Sequence, residues 1–375
     1  MAAESARSPG PAEGEAVSEY RLAWKDYKLP GTLGQGYRRA AHFLREALAE
    51  VVDVIDADRA SAHTPKAVIH FCPAHLFRPN VGSRSLNILF TMWEGPSLPS
   101  TFVKQSNRAD AVLVPSTFNH TVWAEHGIPS RVVPLGVSEA FTDFNPARID
   151  LRDPLGRRTK RIRFMFLGAR TPRKGWPILS TGWRQAFDSW APDDVQLYIK
   201  TMHENEEGRT LKEYYQGRVL IDGRFLSDAS LIDLYREADV FLFPSMGEGF
   251  GLPPLEAMAS GCLAVSTDLG GLSDFIDDSS AILIPRSHQT VVEYGVEDGA
   301  SPFAMNIPTP DDLAGCLRAV ALSWGSPALE AIRMSGCSRA RAMTWARSAR
   351  HLIDATSDIV RYKDPAGALE TARAA

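Results

Sequence analysis

The stretch Pro244-Ser-Met-Gly-Glu-Gly-Phe-Gly-Leu-Pro-Pro-Leu-Glu-Ala-Met-Ala-Ser-Gly261 follows the apolar run Val240-Phe-Leu-Phe243 and predicts a strand, a glycine-rich turn and a helix. Pro253 and Pro254 suit the first turn of that helix, where backbone N–H groups have no intrahelical partner. The free N–H groups of Phe250 to Leu252 then face outward, with the positive end of the helix dipole behind them. The stretch therefore predicts an anion-binding site.

Two glutamates of the same stretch flank the predicted anion site, Glu248 in the turn and Glu256 one helical turn in. Because carboxylates repel a bare phosphate, we expect both to accept hydrogen bonds from hydroxyl groups attached to it. A ligand with phosphates in its middle and hydroxyl-rich groups on both sides is a nucleotide sugar. The other residues of the stretch that we expect to line its pocket are Ser245, Gly249, Phe250, Gly251 and Leu252.

The spacing Glu248-x7-Glu256 in this context resembles the signature of the retaining GT-B glycosyltransferases of family 4, the glycosyl transferases group 1. The resemblance continues in Phe166-Leu-Gly-Ala-Arg-Thr-Pro-Arg-Lys-Gly175, Gly223-Arg-Phe-Leu-Ser-Asp-Ala-Ser-Leu-Ile-Asp-Leu-Tyr235 and Ser266-Thr-Asp-Leu-Gly-Gly271, and covers roughly residues 162–285. It implies an α/β protein with the GT-B fold, in which two Rossmann-like, doubly wound parallel-sheet domains face a cleft. It also implies a hexosyltransferase-type enzyme that moves a sugar, with retained configuration, from a nucleoside-diphosphate sugar to an acceptor hydroxyl.

The resemblance assigns roles to five charged residues. In the family, a basic pair neutralises the departing nucleoside diphosphate. Lys174 matches one member of the pair, and Arg170 is the first candidate for the other, with Arg173 as the alternative. Glu256 resembles the carboxylate that accepts from the ribose hydroxyls, and Glu248 resembles the one that faces the transferred sugar. Because the basic pair neutralises the leaving group, the resemblance implies no metal ion and no cofactor beyond the donor substrate.

Two turns supply further donor-binding candidates. Backbone groups near the Arg224-Phe-Leu226 turn hold the base in the family, which makes Phe225 a candidate. Gly31-Thr-Leu-Gly-Gln-Gly36 resembles the glycine loop of the family, so Gly34 and Gly36 are candidates for close approach to the donor phosphates or the acceptor. A simple tight turn is the alternative interpretation of this loop.

The amino-terminal half also contains candidates for the reacting centre. Thr91-Met-Trp-Glu94 resembles a subgroup of the family in which Glu94 would bind acceptor hydroxyls or the sugar; a capping or salt-bridged glutamate is the alternative. Many family members carry a histidine near the reacting centre, and three residues of this chain lie near its position: His70, Cys72 and His75. A lone loop histidine is more often polar surface.

Short apolar runs alternate with longer helical patterns along the 375 residues, which is typical of a doubly wound α/β architecture. The runs that predict buried strands are Val68–Phe71, Asn87–Phe90, Ala111–Val114, Arg163–Leu167, Val195–Ile199, Val240–Phe243 and Cys262–Val265, and Val133–Val137 predicts another short strand. Both Arg108–Ser116 and Glu237–Ser245 contain Ala-Asp, four apolar residues and Pro-Ser, which fits two similar domains whose strands end at one crevice.

The domain bounds follow from this alternation. Residues 1–17 predict a disordered tail, 18–150 an acceptor-binding domain and 151–344 a nucleotide-sugar-binding domain, with 143–160 as the linker. A long helix over Tyr37–Val52 follows the glycine loop. The amphipathic helix Trp345–Lys363 ends the pattern, and the resemblance implies that it packs back on the first domain.

The composition excludes several classes of protein. A net charge of −4 gives no global field that would attract nucleic acid, and no apolar run approaches the length of a membrane span. The 4 cysteines are sparse and predict neither a zinc site nor a disulfide framework. With no apolar leader near the amino terminus, the sequence predicts a cytoplasmic protein.

The residues leave two other functions open. One is different chemistry on the GT-B fold, such as a phosphorylase or a sugar-nucleotide epimerase. The other is a non-catalytic protein that binds a nucleotide sugar. The donor base, the transferred sugar, the acceptor and the oligomeric state are not distinguished by the sequence.

Overall fold

The computed structural model describes residues 21–29, 35–58, 65–80, 84–142, 161–190, 194–201, 211–214, 218–292 and 302–363. The predicted tail at 1–17 and the predicted linker at 143–160 lie outside these ranges. The described residues form two sheets flanked by helices, together with one separate hairpin.

The first sheet is built from the amino-terminal part of the chain, and all of its described strand pairs are parallel. Its order is β2-β1-β3-β4-β5-β6, where the strands are β1 (Arg21–Lys25), β2 (Asp53–Asp56), β3 (Ala67–Phe71), β4 (Leu86–Phe90), β5 (Ala111–Val114) and β6 (Ser130–Val132). Every residue of β3 is buried, as expected for a parallel strand covered on both faces. The strand order reverses between β1 and β3.

The second sheet has the order β13-β12-β11-β7-β8-β10-β9. Its strands are β7 (Ile162–Leu167), β8 (Val195–Lys200), β9 (Leu211–Tyr214), β10 (Val219–Asp222), β11 (Val240–Phe243), β12 (Leu263–Ser266) and β13 (Ile282–Leu283). All pairs are parallel except β9 with β10. The order reverses between β7 and β11, and in open α/β sheets ligands bind at the carboxyl ends of the strands on either side of such a reversal.

Nine helices are described: α1 (Gln35–Ala49), α2 (Ser100–Ser106), α3 (Thr117–Glu125), α4 (Trp176–Phe187), α5 (Asp228–Glu237), α6 (Leu252–Ala259), α7 (Pro310–Leu322), α8 (Pro327–Arg341) and α9 (Trp345–Lys363). The hairpin consists of β14 (His288–Val292) and β15 (Phe303–Ile307). Hydroxyl side chains cap several helices; the Ser227 oxygen, for example, accepts from the Ser230 amide at the start of α5. In the described part of the chain, no helix is both long and apolar enough to cross a membrane.

Helix α9 lies at the carboxyl end of the described chain but packs on α1, next to the first sheet. Phe43 of α1 stacks on Trp345 of α9, with ring centroids 5.8 Å apart. Leu44 and Leu352 belong to the same buried cluster. Helix α9 therefore packs the carboxyl-terminal end of the described chain against the first domain.

Most predicted strands are observed within one residue of their predicted ends, but Val133–Val137 is not a strand. The Val133 amide still donates to Val114, at 2.8 Å, and the chain then leaves the sheet. It runs against the start of α9 instead, where Val137 donates to the Met343 carbonyl at 2.8 Å. A Cβ atom at Gly136 would lie 2.4 Å from the backbone of Thr344, so this crossing needs a residue without a side chain.

Candidate active site

The candidate site lies at the carboxyl ends of β7 and β11, on either side of the strand-order reversal of the second sheet. The loop after β7 carries Arg173 and Lys174, and the loop after β11 carries Glu248. The two loops are joined by a hydrogen bond from the Met246 amide to the Arg173 carbonyl, at 2.7 Å. Gly175 has a φ of 74°, and a Cβ there would lie 2.0 Å from a backbone oxygen of the β11 loop, so only glycine permits this approach.

Glu248 is the centre of a buried charge cluster. Its side chain is only 8% exposed, and its Oε1 accepts from the Lys174 ammonium at 2.6 Å and from the Ser245 hydroxyl at 2.6 Å. The Arg173 guanidinium lies 3.5 Å from the same oxygen. Burial opposes the charged form, but Lys174 and Arg173 outweigh it and hold the pKa of Glu248 below its ordinary value. The site therefore holds an ionised carboxylate with two cations beside it.

The structure places Arg173, rather than Arg170, beside Lys174. Arg173 donates to the Gly247 carbonyl at 2.7 Å, and its other terminal nitrogen lies 3.6 Å from Glu94. Arg170 instead lies over the Trp176 ring, 5.5 Å from its centroid. The structure thus places the alternative candidate, Arg173, beside Glu248 and the first candidate, Arg170, against Trp176. Because Glu94 belongs to the first domain, that domain also contributes a side chain to the site.

Glu256 forms a second buried cluster, and most of its partners were not predicted. Its Oε1 accepts from Nε of Arg39 at 3.1 Å, and its Oε2 from the Tyr235 hydroxyl at 3.2 Å. Arg39 comes from α1 in the first domain and also donates to Asp228 at 2.6 Å. Burial raises the pKa of Glu256, and Arg39 only partly opposes this. The signal for Arg39 in the sequence is slight: it is a basic residue in the first turns after the glycine loop.

Glycines shape the turn between the two glutamates. Gly251 has a φ of 106° and precedes α6, and a Cβ there would lie 2.3 Å from Leu272. A Cβ at Gly249 would lie 2.9 Å from Met92 of the first domain. The Phe250 ring is buried in the core against Phe275, so only the backbone of Phe250 faces the start of α6. Pro253 and Pro254 have no N–H, so the amides that this helix start can offer to an anion are those of Gly251 and Leu252, which have no partner inside the helix.

Contacts across the cleft bring the two domains together at this turn. The Ser116 hydroxyl donates to the Gly249 carbonyl at 2.8 Å. The Thr117 amide donates to Asp274 at 2.8 Å. Ser116 and Ser245 are the last residues of the two similar Ala-Asp…Pro-Ser segments, and both lie at the cleft. The cleft is therefore narrow in this structure.

The loop after β10 has its own buried support. The Lys200 ammonium donates to the carbonyl oxygens of Arg224, at 2.6 Å, and Thr201, at 2.8 Å. Asp222 accepts from Nε and Nη2 of Arg224, each at 2.9 Å. Burial opposes ionisation of Asp222, but the bonds from Arg224 prevail and lower its pKa to about 2. This support leaves the neighbouring Phe225 ring 61% exposed, which suits contact with a flat ligand group.

The candidates in the first domain lie in different surroundings. Gly34 is outside the described residues, and Gly36 is exposed with open space around it. His70 is bonded on both sides, to the Tyr27 hydroxyl at 2.8 Å and to Asn87 at 3.1 Å, and burial lowers its pKa to about 4. Cys72 is fully buried, which raises the pKa of its thiol to about 12. The His75 ring packs near Phe102, with centroids 5.5 Å apart.

Sequence comparison finds relatives of the segment that carries both loops. Residues 161–294 match the family model described as glycosyl transferases group 1. The serotype-specific mannosyltransferase WbdA of Escherichia coli is 42% identical over 72 residues, which are 19% of this chain and 9% of that protein. A D-inositol 3-phosphate glycosyltransferase of Corynebacterium kroppenstedtii is 32% identical over 136 residues, which are 35% of this chain and 24% of that protein. The matches thus span less than a quarter of the length of these curated relatives.

Structural comparison covers nearly the whole chain. A glycosyltransferase from Rickettsia africae superposes with a TM-score of 0.62 at 13% identity, over 91% of this chain and 99% of that one. Anabaena Alr3699/HepE, solved in complex with UDP-glucose, superposes with a TM-score of 0.61 at 15% identity, over 90% of this chain and 99% of that one. The chain has the GT-B fold. In this GT-B protein the charge cluster around Glu248 lies on the second domain and faces the first.

Proposed function

We propose that the chain is a hexosyltransferase-type glycosyltransferase that moves a sugar from a nucleoside-diphosphate sugar to an acceptor hydroxyl, with retained configuration and without a metal ion. The observation that carries the proposal is the cluster of Arg173, Lys174 and Glu248 at the strand-order reversal of the second sheet. Two cations beside the start of α6 suit a diphosphate, because Arg offers a planar fork and Lys a point charge. The match of residues 161–294 to glycosyl transferases group 1 supports it.

The donor would lie along the turn from Glu248 to Glu256. Its diphosphate would meet Arg173, Lys174 and the amides of residues 250–252, and its ribose would meet Glu256. Glu248 would accept from hydroxyls of the transferred sugar. The base would contact the exposed Phe225 ring. UDP-glucose in Alr3699/HepE and the mannosyl transfer named for WbdA support a hexose donor.

In the proposed reaction, the bond between the sugar and the diphosphate breaks while the acceptor hydroxyl attacks from the same face. Arg173 and Lys174 stabilise the charge that develops on the leaving diphosphate, and this electrostatic term together with positioning carries most of the rate. The acceptor proton passes to the departing phosphate. Lys174 exchanges its bond to Glu248 for one to phosphate, so donor binding leaves Glu248 able to accept from the sugar.

The acceptor would enter from the first domain. Glu94 lies 3.6 Å from Arg173 and therefore borders the reacting centre from that side. We propose that it accepts a hydrogen bond from the attacking hydroxyl or from the sugar. His70 and Cys72 are excluded from a proton-transfer role in this proposal, because the first is bonded on both sides and the second is fully buried.

Thermal denaturation with a panel of nucleotide sugars tests the donor proposal, since specific binding raises the melting temperature by mass action. We expect one sugar nucleotide to stabilise the wild-type protein and Lys174→Met to lose that stabilisation. Stabilisation by none of the panel would refute the proposal.

For turnover with that donor, NMR of the product anomer tests retention, and activity after exhaustive chelation tests metal independence. Release of a sugar phosphate would indicate a phosphorylase instead, and binding without turnover on any acceptor would indicate a non-catalytic protein.

A further inference from the structure

The Arg39 guanidinium is the part of the Glu256 cluster that comes from the first domain. It bridges two helices of the second domain, through Nε to Glu256 on α6 and through Nη1 to Asp228 on α5. These bonds join residues far apart in the sequence, and the Arg39 side chain is only 23% exposed. Arg39 therefore occupies a fixed position at the end of the cleft.

The third nitrogen of this guanidinium is not used by either bond. Nη2 of Arg39 is buried and donates to no acceptor among the residues that the structure describes. A buried donor without an acceptor is unfavourable because it has lost its hydrogen bonds to water, so such a donor is usually satisfied by a ligand or an ordered water. Because a guanidinium is planar, one N–H of Nη2 points the same way as Nε–H, toward the space beside Glu256.

The space beside Glu256 thus offers an acceptor and a donor together. Each oxygen of Glu256 has a protein partner, Arg39 on Oε1 and Tyr235 on Oε2, and keeps a second lone pair. A hydroxyl group can donate to this lone pair and accept from Nη2 of Arg39 at the same time. An unprotonated phosphate oxygen cannot do so, because it has no proton to donate to a carboxylate.

We propose that Arg39 is a specificity-determining residue of the donor site, where its Nη2 donates to a ribose hydroxyl that in turn donates to Glu256. This inference rests on the proposed function, since it places the ribose of a nucleoside diphosphate at Glu256. Arg39 and Glu256 together select ribonucleotides over deoxynucleotides. Because Arg39 belongs to the first domain, the same bond ties ribose binding to the approach of the two domains.

The test is calorimetric titration of the full chain with UDP, GDP and ADP, followed by the 2′-deoxy and 3′-deoxy forms of whichever binds. A hydrogen bond to a charged group is worth about 1.5–3 kcal/mol, which is about 10- to 150-fold in affinity. We expect Arg39→Met to weaken binding of the ribonucleotide at least about tenfold. We also expect the preference over one deoxy form to fall by a similar factor, while that form itself loses little affinity.

Two further variants serve as a matched control and as a conservative substitution for this test. Arg45→Met is the matched control, because Arg45 lies on the same helix but pairs with Asp26 of its own domain, at 2.6 Å. Nucleotide binding by this variant should equal that of wild type. Arg39→Lys keeps the positive charge but has no planar fork, so it should also lose the ribose preference. Arg39→Lys replaces Arg39→Met in the titrations if Arg39→Met does not fold.

The outcomes separate this inference from the proposed function. A wild-type protein that binds none of the nucleoside diphosphates overturns the proposed function and the inference with it. Binding with the ribose preference unchanged in both Arg39 variants overturns the inference alone. Tighter binding in Arg39→Met also overturns it, because Arg39 would then compete with the nucleotide for Glu256.

Discussion

Replacement of Lys174 by Met should reverse the pH dependence of the free energy of unfolding that arises from the titration of Glu248. Met keeps most of the apolar stem and removes the ammonium, which lies 5.3 Å from the centroid of the Phe243 ring, so the change removes mainly the charge. Breaking a buried ion pair by removing one partner costs about 3–5 kcal/mol. We expect the lower end, about 3 kcal/mol, because the Ser245 hydroxyl at 2.6 Å and Arg173 at 3.5 Å remain beside the carboxylate.

The sign follows from the two pKa directions. In the wild type the pKa of Glu248 is lowered, so its contribution to stability is present at neutral pH and lost only as the pH falls toward and below about 4. Without Lys174, burial becomes the dominant effect and raises the pKa of Glu248. A raised pKa gives stability that is present at low pH and lost as the pH rises. The deficit of the Lys174→Met variant should therefore grow between about pH 5 and about pH 8.

Urea denaturation of wild type, Lys174→Met, Glu248→Gln and the double variant over that pH range measures these differences. The double variant should be more stable than Lys174→Met, because it buries no unpaired carboxylate. At a fixed pH, the expected loss corresponds to a melting temperature lower by roughly 6–12 °C. A deficit below about 0.5 kcal/mol, or one that does not change with pH, would refute the reasoning. So would a double variant no more stable than Lys174→Met.

Three further predictions follow from the same geometry. Arg173→Met should lower kcat by about 100-fold or more, whereas Arg170→Met should change it less than about threefold, as measured by steady-state kinetics with the identified donor; equal losses would contradict the assignment. Gly251→Ala should destabilise the protein by about 2 kcal/mol or more in urea denaturation, because φ is 106° and the new Cβ would meet Leu272 at 2.3 Å. The His70 ring should titrate in NMR near pH 4, because burial lowers its pKa to about 4. Its neutral form therefore contributes stability above about pH 6.5 that is lost as the pH falls. Titration of the ring near pH 6.5 would contradict its burial.

The sequence was sufficient to predict the parts of the fold that depend on local patterns. Apolar runs located β5 and β11 at their observed ends, and the helix Trp345–Lys363 was predicted with its observed bounds. Sequence patterns did not predict strands that are short or that lack a long apolar run. The edge strand β2 and the hairpin β14–β15 carry mixed exposure without a long apolar run, and neither was predicted.

The same division holds for the candidate site. Glu248, Lys174 and the α6 turn lie together because each follows directly from the end of a predicted strand. The choice between Arg170 and Arg173 depended on how a loop of a few residues turns, which spacing alone does not determine. Arg39 was missed for a different reason: its partner Glu256 is 217 positions away, so the contact exists only after the two domains approach each other.

The two glutamates of the motif therefore work as parts of two different ion pairs. Glu248 is paired with Lys174 of its own domain, whereas Glu256 is paired with Arg39 of the other domain. In the proposed complex, a ligand that bridges both glutamates exchanges bonds with Lys174 at Glu248 and adds to the Arg39–Glu256 pair at the other end. Because Arg39 belongs to the first domain, the proposed ribose site is complete only when the two domains are in contact. The spacing of the two glutamates thus places Glu248 in a cluster centred on the second domain and Glu256 in direct contact with the first domain.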